Sequence, residues 1–200
     1  MKFICIILCL VASLTVTSAE LISNPGFETG DLTDWSSFGM GWRTGTGADA
    51  FSGTYGLVCD ILDSDVGENW RGVYQNVSVT EGLTYNAGVY IRAVSVNDSA
   101  SWFELQWLDS GGGVISQLQS ASVTSDQAFT YMGLGTIVAP AGATDASVRG
   151  IVNMVTLPTP GDSDFHIFDD FTMTVIPEPG SMALLSIGAL ALVLRRRQRK

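Results

Sequence analysis

The chain has 200 residues, with 20 Asp and Glu against 10 Lys and Arg, which leaves room for one or two domains. Six of the ten basic residues sit at the extreme ends, so the span from Glu20 to Ile176 holds nineteen acids, four arginines (Arg43, Arg71, Arg92 and Arg149) and no lysine. Binding to a phosphate backbone depends on clustered cations that displace counterions, so the charge pattern excludes nucleic acid as a partner.

At the start, Met1-Lys2 precedes the apolar run Phe3 to Val16 and the small residues Thr17-Ser18-Ala19. One positive charge, an apolar stretch too short to span a bilayer and small residues before Glu20 predict a secretory signal peptide over 1–19, cut after Ala19. Cys5 and Cys9 belong to that leader, which leaves Cys59 without an intrachain disulfide partner. The next 157 residues, 20–176, alternate short runs of Val, Ile, Tyr, Phe and Thr with clusters of Gly, Asp, Asn and Ser, the texture of an all-β domain. Strands are predicted at Leu57-Val58-Cys59, Trp70 to Thr80, Leu83 to Val94, Trp102 to Asp109, Val114 to Gln119, Phe129 to Val138, Ala146 to Val155 and Phe165 to Val175. No helical period appears among them. Seven or more antiparallel strands in this length form two packed sheets, a β-sandwich of jelly-roll type. After it come Pro177-Glu178-Pro179-Gly180, an apolar segment from Met182 to Leu194, and the basic end Arg195-Arg196-Arg197-Gln198-Arg199-Lys200. Thirteen apolar residues make roughly 20 Å of helix, short of the ~30 Å hydrocarbon core, so a C-terminal transmembrane helix here anchors the chain weakly and transiently. The basic cluster holds its own end in the cytoplasm and leaves everything upstream outside.

In order and spacing, 177–200 resembles the PEP-CTERM sorting tail of exported proteins in Gram-negative bacteria, with Pro177, Glu178 and Pro179 as its motif. The resemblance implies processing by an exosortase-type membrane protease near Pro177 to Gly180: a membrane-anchored precursor first, then a cell-surface or extracellular product. An ordinary C-terminal membrane anchor is the alternative. The opening of the domain, Asn24-Pro25-Gly26-Phe27-Glu28 followed by Trp35, is similar to that of the galactose-binding-like jelly rolls found among carbohydrate-binding modules. Ser52-Gly53-Thr54-Tyr55-Gly56-Leu57, Tyr74-Gln75-Asn76-Val77-Ser78-Val79, Trp107-Leu108-Asp109-Ser110-Gly111 and Phe168-Asp169-Asp170-Phe171 follow in matching order. This second resemblance implies a structural calcium ion that joins the two ends of the domain, with carboxylates from Glu28, Asp49 and Asp169 and carbonyls from Gly26 and Ser52. Hard oxygens are what Ca²⁺ takes, and its charge relieves crowding among acids.

Alternation along the strands sorts the remaining side chains. Phe103, Leu105 and Trp107 face one way, and Trp102, Glu104 and Gln106 the other. Tyr90 with Arg92, and Arg149, are likewise expected to point outward. Aromatic rings that stack on a pyranose, with planar amide, carboxylate and guanidinium groups that bridge its hydroxyls, make up a sugar-binding surface. Trp102, Glu104, Gln106, Tyr90, Arg92 and Arg149 are therefore expected to share a ligand-binding face, with Trp42 and Trp70 on loops at its rim. No catalytic residue stands out. The single His166 lies between Phe165 and Ile167 in a strand and reads as structural, there is no Gly-x-Ser-x-Gly elbow or zinc spacing, and the acids are too abundant for one carboxylate pair to stand apart. The expected function is that of a non-catalytic exported surface or matrix protein whose jelly roll binds polysaccharide. Set against it are a structural envelope or biofilm protein that binds no glycan and, more distantly, a glycoside hydrolase.

Overall fold

A computed structural model describes residues 18–62, 69–154 and 163–177. The leader through Thr17, and the sorting tail from Glu178 onward with Pro179 and its apolar segment, lie outside the described residues. No helix among the described residues is long and apolar enough to cross a membrane. Ten strands follow one another: β1 (Ser36–Phe38), β2 (Trp42–Thr46), β3 (Tyr55–Leu62), β4 (Trp70–Ser78), β5 (Thr84–Val94), β6 (Ser99–Leu108), β7 (Val114–Gln119), β8 (Gln127–Val138), β9 (Asp145–Met154) and β10 (Ser163–Ile176). The one helical element among the described residues is a 3₁₀ turn at Gly47–Asp49.

The strands form two five-stranded antiparallel sheets, ordered β1-β4-β9-β6-β7 and β2-β3-β10-β5-β8. The seven long strands from Trp70 onward lie where alternation and turn residues place them. β1 and β2 are additions, and β3 extends well beyond Leu57-Val58-Cys59. Trp42, expected in a loop, is instead the first residue of β2, while Trp70 begins β4, as the strand expected from Trp70 to Thr80 requires, and so does not sit in a rim loop.

Alternate residues of the long strands of both sheets supply the core, whereas β1 and β7 are exposed along their whole length. Phe103, Leu105 and Trp107 of β6, Val148 and Val152 of β9 and Val73 and Val77 of β4 meet Leu57 and Ile61 of β3, Tyr85, Val89 and Ile91 of β5 and Phe168 and Met173 of β10. Burial of each such aliphatic or aromatic side chain contributes roughly 1.5–3 kcal/mol, the main stabilisation of the sandwich. The opening motif closes one end of this core: Trp35 lies 4.6 Å from Phe171 and 5.2 Å from Phe27, ring centre to ring centre. Its indole N–H donates to the Asn24 carbonyl at 3.0 Å, while the Asn24 amide donates to Thr29 Oγ1 at 2.8 Å and ties the turn together. The chain before the turn lies along the second half of β10, where the Leu21 N–H donates to the Met173 carbonyl at 3.0 Å.

Where the two sheets meet near Ser99, a polar group interrupts the apolar interior. His166 Nε2 lies 2.8 Å from Ser99 Oγ, and Ser99 Oγ also donates to Asp164, whose carboxylate accepts the Asn97 and Asp98 N–H groups. All three side chains are buried. Burial pushes the His166 imidazole down to about 4, and the nearby Asp164 charge only partly opposes that. The ring is therefore neutral in the fold and ionises near 6.5 in the unfolded chain, so the stability that its neutrality supports is present above pH 6.5 and lost between about 6.5 and 4. Because the chain has one histidine, the ring resonances in an NMR titration are expected to stay at their neutral shifts down to about pH 5. A midpoint near 6.5 contradicts the buried arrangement.

Candidate functional site

The outer face of the first sheet gathers the residues that carry recognition chemistry. β4, β9 and β6 run side by side, and their register sets Tyr74 opposite Arg149 and Arg149 opposite Glu104. The inward neighbours of these residues belong to the core, so the alternation sends this row outward. Arg149 spans the row: its guanidinium carbon lies 5.4 Å from the Tyr74 ring centre, one terminal nitrogen is 3.5 Å from Glu104 Oε1, and Nε donates to Ser147 Oγ at 3.1 Å. Glu104, buried in a sheet face, is held by two amides as well. Gln106 Nε2 donates to its Oε1 at 3.0 Å and Gln117 Nε2 to its Oε2 at 2.8 Å.

Beside this polar row lies an aromatic corner. Trp102, with 8% of its surface exposed, packs on Ala100 and Ile151, and Trp70 meets it edge to face at 5.8 Å and 87°. Trp70 keeps 58% of its surface exposed, and the buried Trp102 indole N–H has no hydrogen-bond partner among the described residues. A buried indole N–H without an acceptor costs free energy unless a ligand oxygen meets it. A flat exposed ring, an open donor and a set of planar bidentate groups therefore lie next to one another on one sheet.

Of the six residues expected to share a face, Trp102, Glu104, Gln106 and Arg149 do, and Tyr90 and Arg92 do not. Tyr90 and Arg92 belong to β5, which pairs with β10 and β8 in the second sheet, so their outward direction is the opposite side of the sandwich. There Tyr90 stacks on Phe51 at 3.7 Å, and Arg92 donates to the Ala48 carbonyl at 2.8 Å and pairs with Asp49 at 3.3 Å. Sequence reasoning missed Tyr74 and Gln117, whereas Trp70, expected at the rim of this face, lies beside Trp102 on it. In Trp70-Arg71-Gly72-Val73-Tyr74 the strand period was available, but Arg71 reverses the polarity that marks it. Arg71 is buried and donates to the Asp60 carbonyl at 2.6 Å, whereas the aromatic residues on either side face out.

The residues proposed for calcium meet at the closed end of the core, with one exception. A Cβ on Gly26 would lie 3.0 Å from Asp170 Oδ1, 3.1 Å from Asp169 Oδ1 and 3.8 Å from Glu28 Cγ, so three acidic side chains crowd over that glycine. Asp169 Oδ2 accepts the Phe51 and Ser52 N–H groups at 2.6 and 3.1 Å, and Glu28 accepts those of Thr54 and Tyr55 at 3.0 Å. Burial pushes the Asp169 carboxyl up to about 6, and the Asp170 charge adds to the rise. Asp49 faces away, toward Arg92 and, at 3.9 Å, Arg43. Among the described residues no three acid, histidine or cysteine side chains are grouped closely enough to hold a metal by themselves, so backbone carbonyls would have to supply part of any shell.

The comparisons with known proteins join this geometry at both ends of the chain. Residues 175–198 match the PEP-CTERM protein-sorting motif. The chain is thus a sorting substrate that passes a membrane, of the kind exported in Gram-negative bacteria. No curated protein matches it. Among solved structures, TmCBM61 in complex with beta-1,4-galactotriose aligns at 19% identity and a TM-score of 0.56, over 80% of this chain and 100% of that one. The fold is that of the carbohydrate-binding jelly rolls. The CBM22-1 xylan-binding domain of Paenibacillus barcinonensis Xyn10C aligns at 19% identity and a TM-score of 0.54, over 80% of this chain and 97% of that one. The enzymatically active domain of bacteriophage CBA120 tailspike protein 4 aligns at 13% identity and a TM-score of 0.62, and this chain spans 21% of its length.

The polar row has a stability consequence. In Arg149→Leu the Glu104 carboxylate stays buried without its cation, at an expected cost of about 2 kcal/mol. That corresponds to a thermal midpoint lower by roughly 4–8 °C for a domain of this size. The double change Arg149→Leu with Glu104→Leu recovers most of the loss if the pairing is as described, and recovers none if the two side chains do not interact.

Proposed function

We propose that the protein is an exported, non-catalytic surface or extracellular-matrix protein, released through its sorting tail, whose first-sheet outer face binds polysaccharide. The carrying observation is the corner where the exposed Trp70 ring adjoins the unpartnered indole N–H of Trp102, beside Glu104, Gln106 and Arg149. A pyranose ring stacked on Trp70 would place its hydroxyls within reach of an indole donor, a carboxylate, an amide and a guanidinium, the groups that fix sugar orientation. The fold shared with a galactotriose-bound module and a xylan-binding domain supports the same ligand class. At the other end, Ile176, the last residue of β10, still pairs with Thr84. Processing by an exosortase-type protease at Pro177 to Gly180 would therefore cut just beyond the last paired residue and release the sandwich entire.

Calcium is part of this reading. Glu28 and Asp169 with the carbonyls of Gly26 and Ser52 would hold the ion, and Asp49 would not. The fit rests on charge: Glu28, Asp169 and Asp170 crowd over Gly26, and none of them is paired with an arginine or lysine among the described residues. The ion would supply the missing positive charge and tie the first turn of the domain to its last strand.

Affinity electrophoresis of the purified full-length chain in detergent, through gels that contain soluble xylan or β-1,4-galactan, tests the binding face. The wild type is expected to be retarded, and Trp70→Ala to lose about tenfold in affinity while its thermal midpoint stays within about 2 °C, because Trp70 lies largely outside the core. Equal retardation of the two proteins contradicts the assignment. For the ion, a chelator is expected to lower the thermal midpoint by roughly 5 °C or more, and Glu28→Ala to abolish that response. A chelator-insensitive midpoint removes calcium from the account.

A further inference from the structure

We infer that the outer face of the second sheet, on the opposite side of the sandwich, is a second saccharide-binding face for a neutral polysaccharide, centred on Tyr131. The inference shares only its ligand class with the proposed function and rests on its own residues. Tyr131 of β8 lies flat on the sheet. A Cβ on Gly88 would sit 2.5 Å from its Cζ and Oη, and a Cβ on Gly133 2.5 Å from its Cε1. Gly88 and Gly133 face each other across the β5–β8 ladder, so together they form a side-chain-free bed into which the ring settles. A side chain at either position would lift the ring off the sheet. With its underside on the two glycines, the ring turns its other face to solvent and remains 39% exposed.

The surroundings suit a sugar better than an apolar partner. Tyr131 Oη lies 3.1 Å from Thr172 Oγ1, which fixes the ring in its plane. One step along the strands, Thr174 of β10, Asn86 of β5 and Thr136 of β8 stand opposite one another in register, a transverse row of hydroxyl and amide groups beside the ring. Their inward neighbours Tyr85, Ala87, Met173 and Ile137 belong to the core, so the row faces out. On the other side, Tyr90 lies 5.3 Å from Tyr131 and is covered by Phe51, itself 43% exposed, which extends the aromatic surface. The three side chains of the row are uncharged; the one carboxylate paired beside them, Glu20 opposite Thr174 at the sheet edge, is taken up by the Leu21, Ile22 and Met173 N–H groups, and Arg92 is held by Ala48 and Asp49. A flat exposed ring beside uncharged hydroxyls and an amide matches the apolar face and hydroxyl rim of a neutral pyranose, and repels nothing in it. Because the two faces look in opposite directions from one sandwich, a single chain would bridge two polysaccharide strands, and each face would raise the effective concentration of the other.

The test uses the purified full-length chain in detergent and affinity gels with soluble xylan or β-1,4-galactan. Trp70→Ala is expected to keep a residual retardation. Adding Tyr131→Ala to it is expected to weaken that residue at least tenfold, to the mobility in a polymer-free gel, whereas adding Tyr131→Phe leaves it in place. Thermal midpoints of the two double variants within a few degrees of each other show that the sheet is intact. If Trp70→Ala alone abolishes retardation, or if Tyr131→Ala leaves the residue unchanged, the second face is overturned while the first stands. A wild type retarded by neither polymer overturns both faces.

Discussion

Successive side chains of a strand leave it on opposite sides, so every residue given to the core obliges its neighbour to face outward. With two sheets enclosing one core, that constraint produces two outer faces, and the chemistry of the molecule depends on what the sequence puts at the alternate positions. On β6 the inward set Phe103, Leu105 and Trp107 leaves Trp102, Glu104 and Gln106 on the first outer face. On β5 the inward set Tyr85, Val89 and Ile91 leaves Asn86, Gly88 and Tyr90 on the second. Sheet order then decides which outward residues become neighbours: β9 between β4 and β6 brings Arg149 to Glu104 and Tyr74, and β5 between β10 and β8 brings Asn86 to Thr174 and Thr136.

Charge follows the same geometry. All four arginines of the exported domain are used internally: Arg43 pairs with Asp60 at 2.7 Å, Arg71 holds the Asp60 carbonyl, Arg92 takes Ala48 and Asp49, and Arg149 takes Glu104. The carboxylates at the closed end of the core, Glu28, Asp169 and Asp170, are left to backbone N–H groups and the Ser52 hydroxyl, and burial drives Asp169 toward its protonated form. Three carboxylates of this acidic chain are thus gathered at one place in the fold with no arginine or lysine paired to them among the described residues.

Much of this was legible in the residues. The strands from Trp70 onward were marked by β-branched and aromatic runs between Gly-rich turns, and the Trp102 to Trp107 alternation assigned both of its faces. β1 and β2 were not legible, because Ser36–Phe38 and Trp42–Thr46 are short, rich in Ser, Gly and Thr, and gain their pairing only from β4 and β3. Sheet membership was not legible either. Tyr90 and Arg149 carry the same outward signal, and only the strand order, a long-range property, puts them on opposite sides. Arg71 hid Tyr74, since a buried arginine that donates to main-chain carbonyls looks in sequence like an exposed one.

The central claim is that the first outer face is a sugar-binding surface, and a crystal structure of the chain grown with β-1,4-galactotriose or xylohexaose tests it most directly. The account predicts a pyranose ring stacked on Trp70, with oxygens within hydrogen-bond distance of the Trp102 indole N–H and of Glu104 or Arg149. An oligosaccharide bound elsewhere while this face carries only solvent would contradict it.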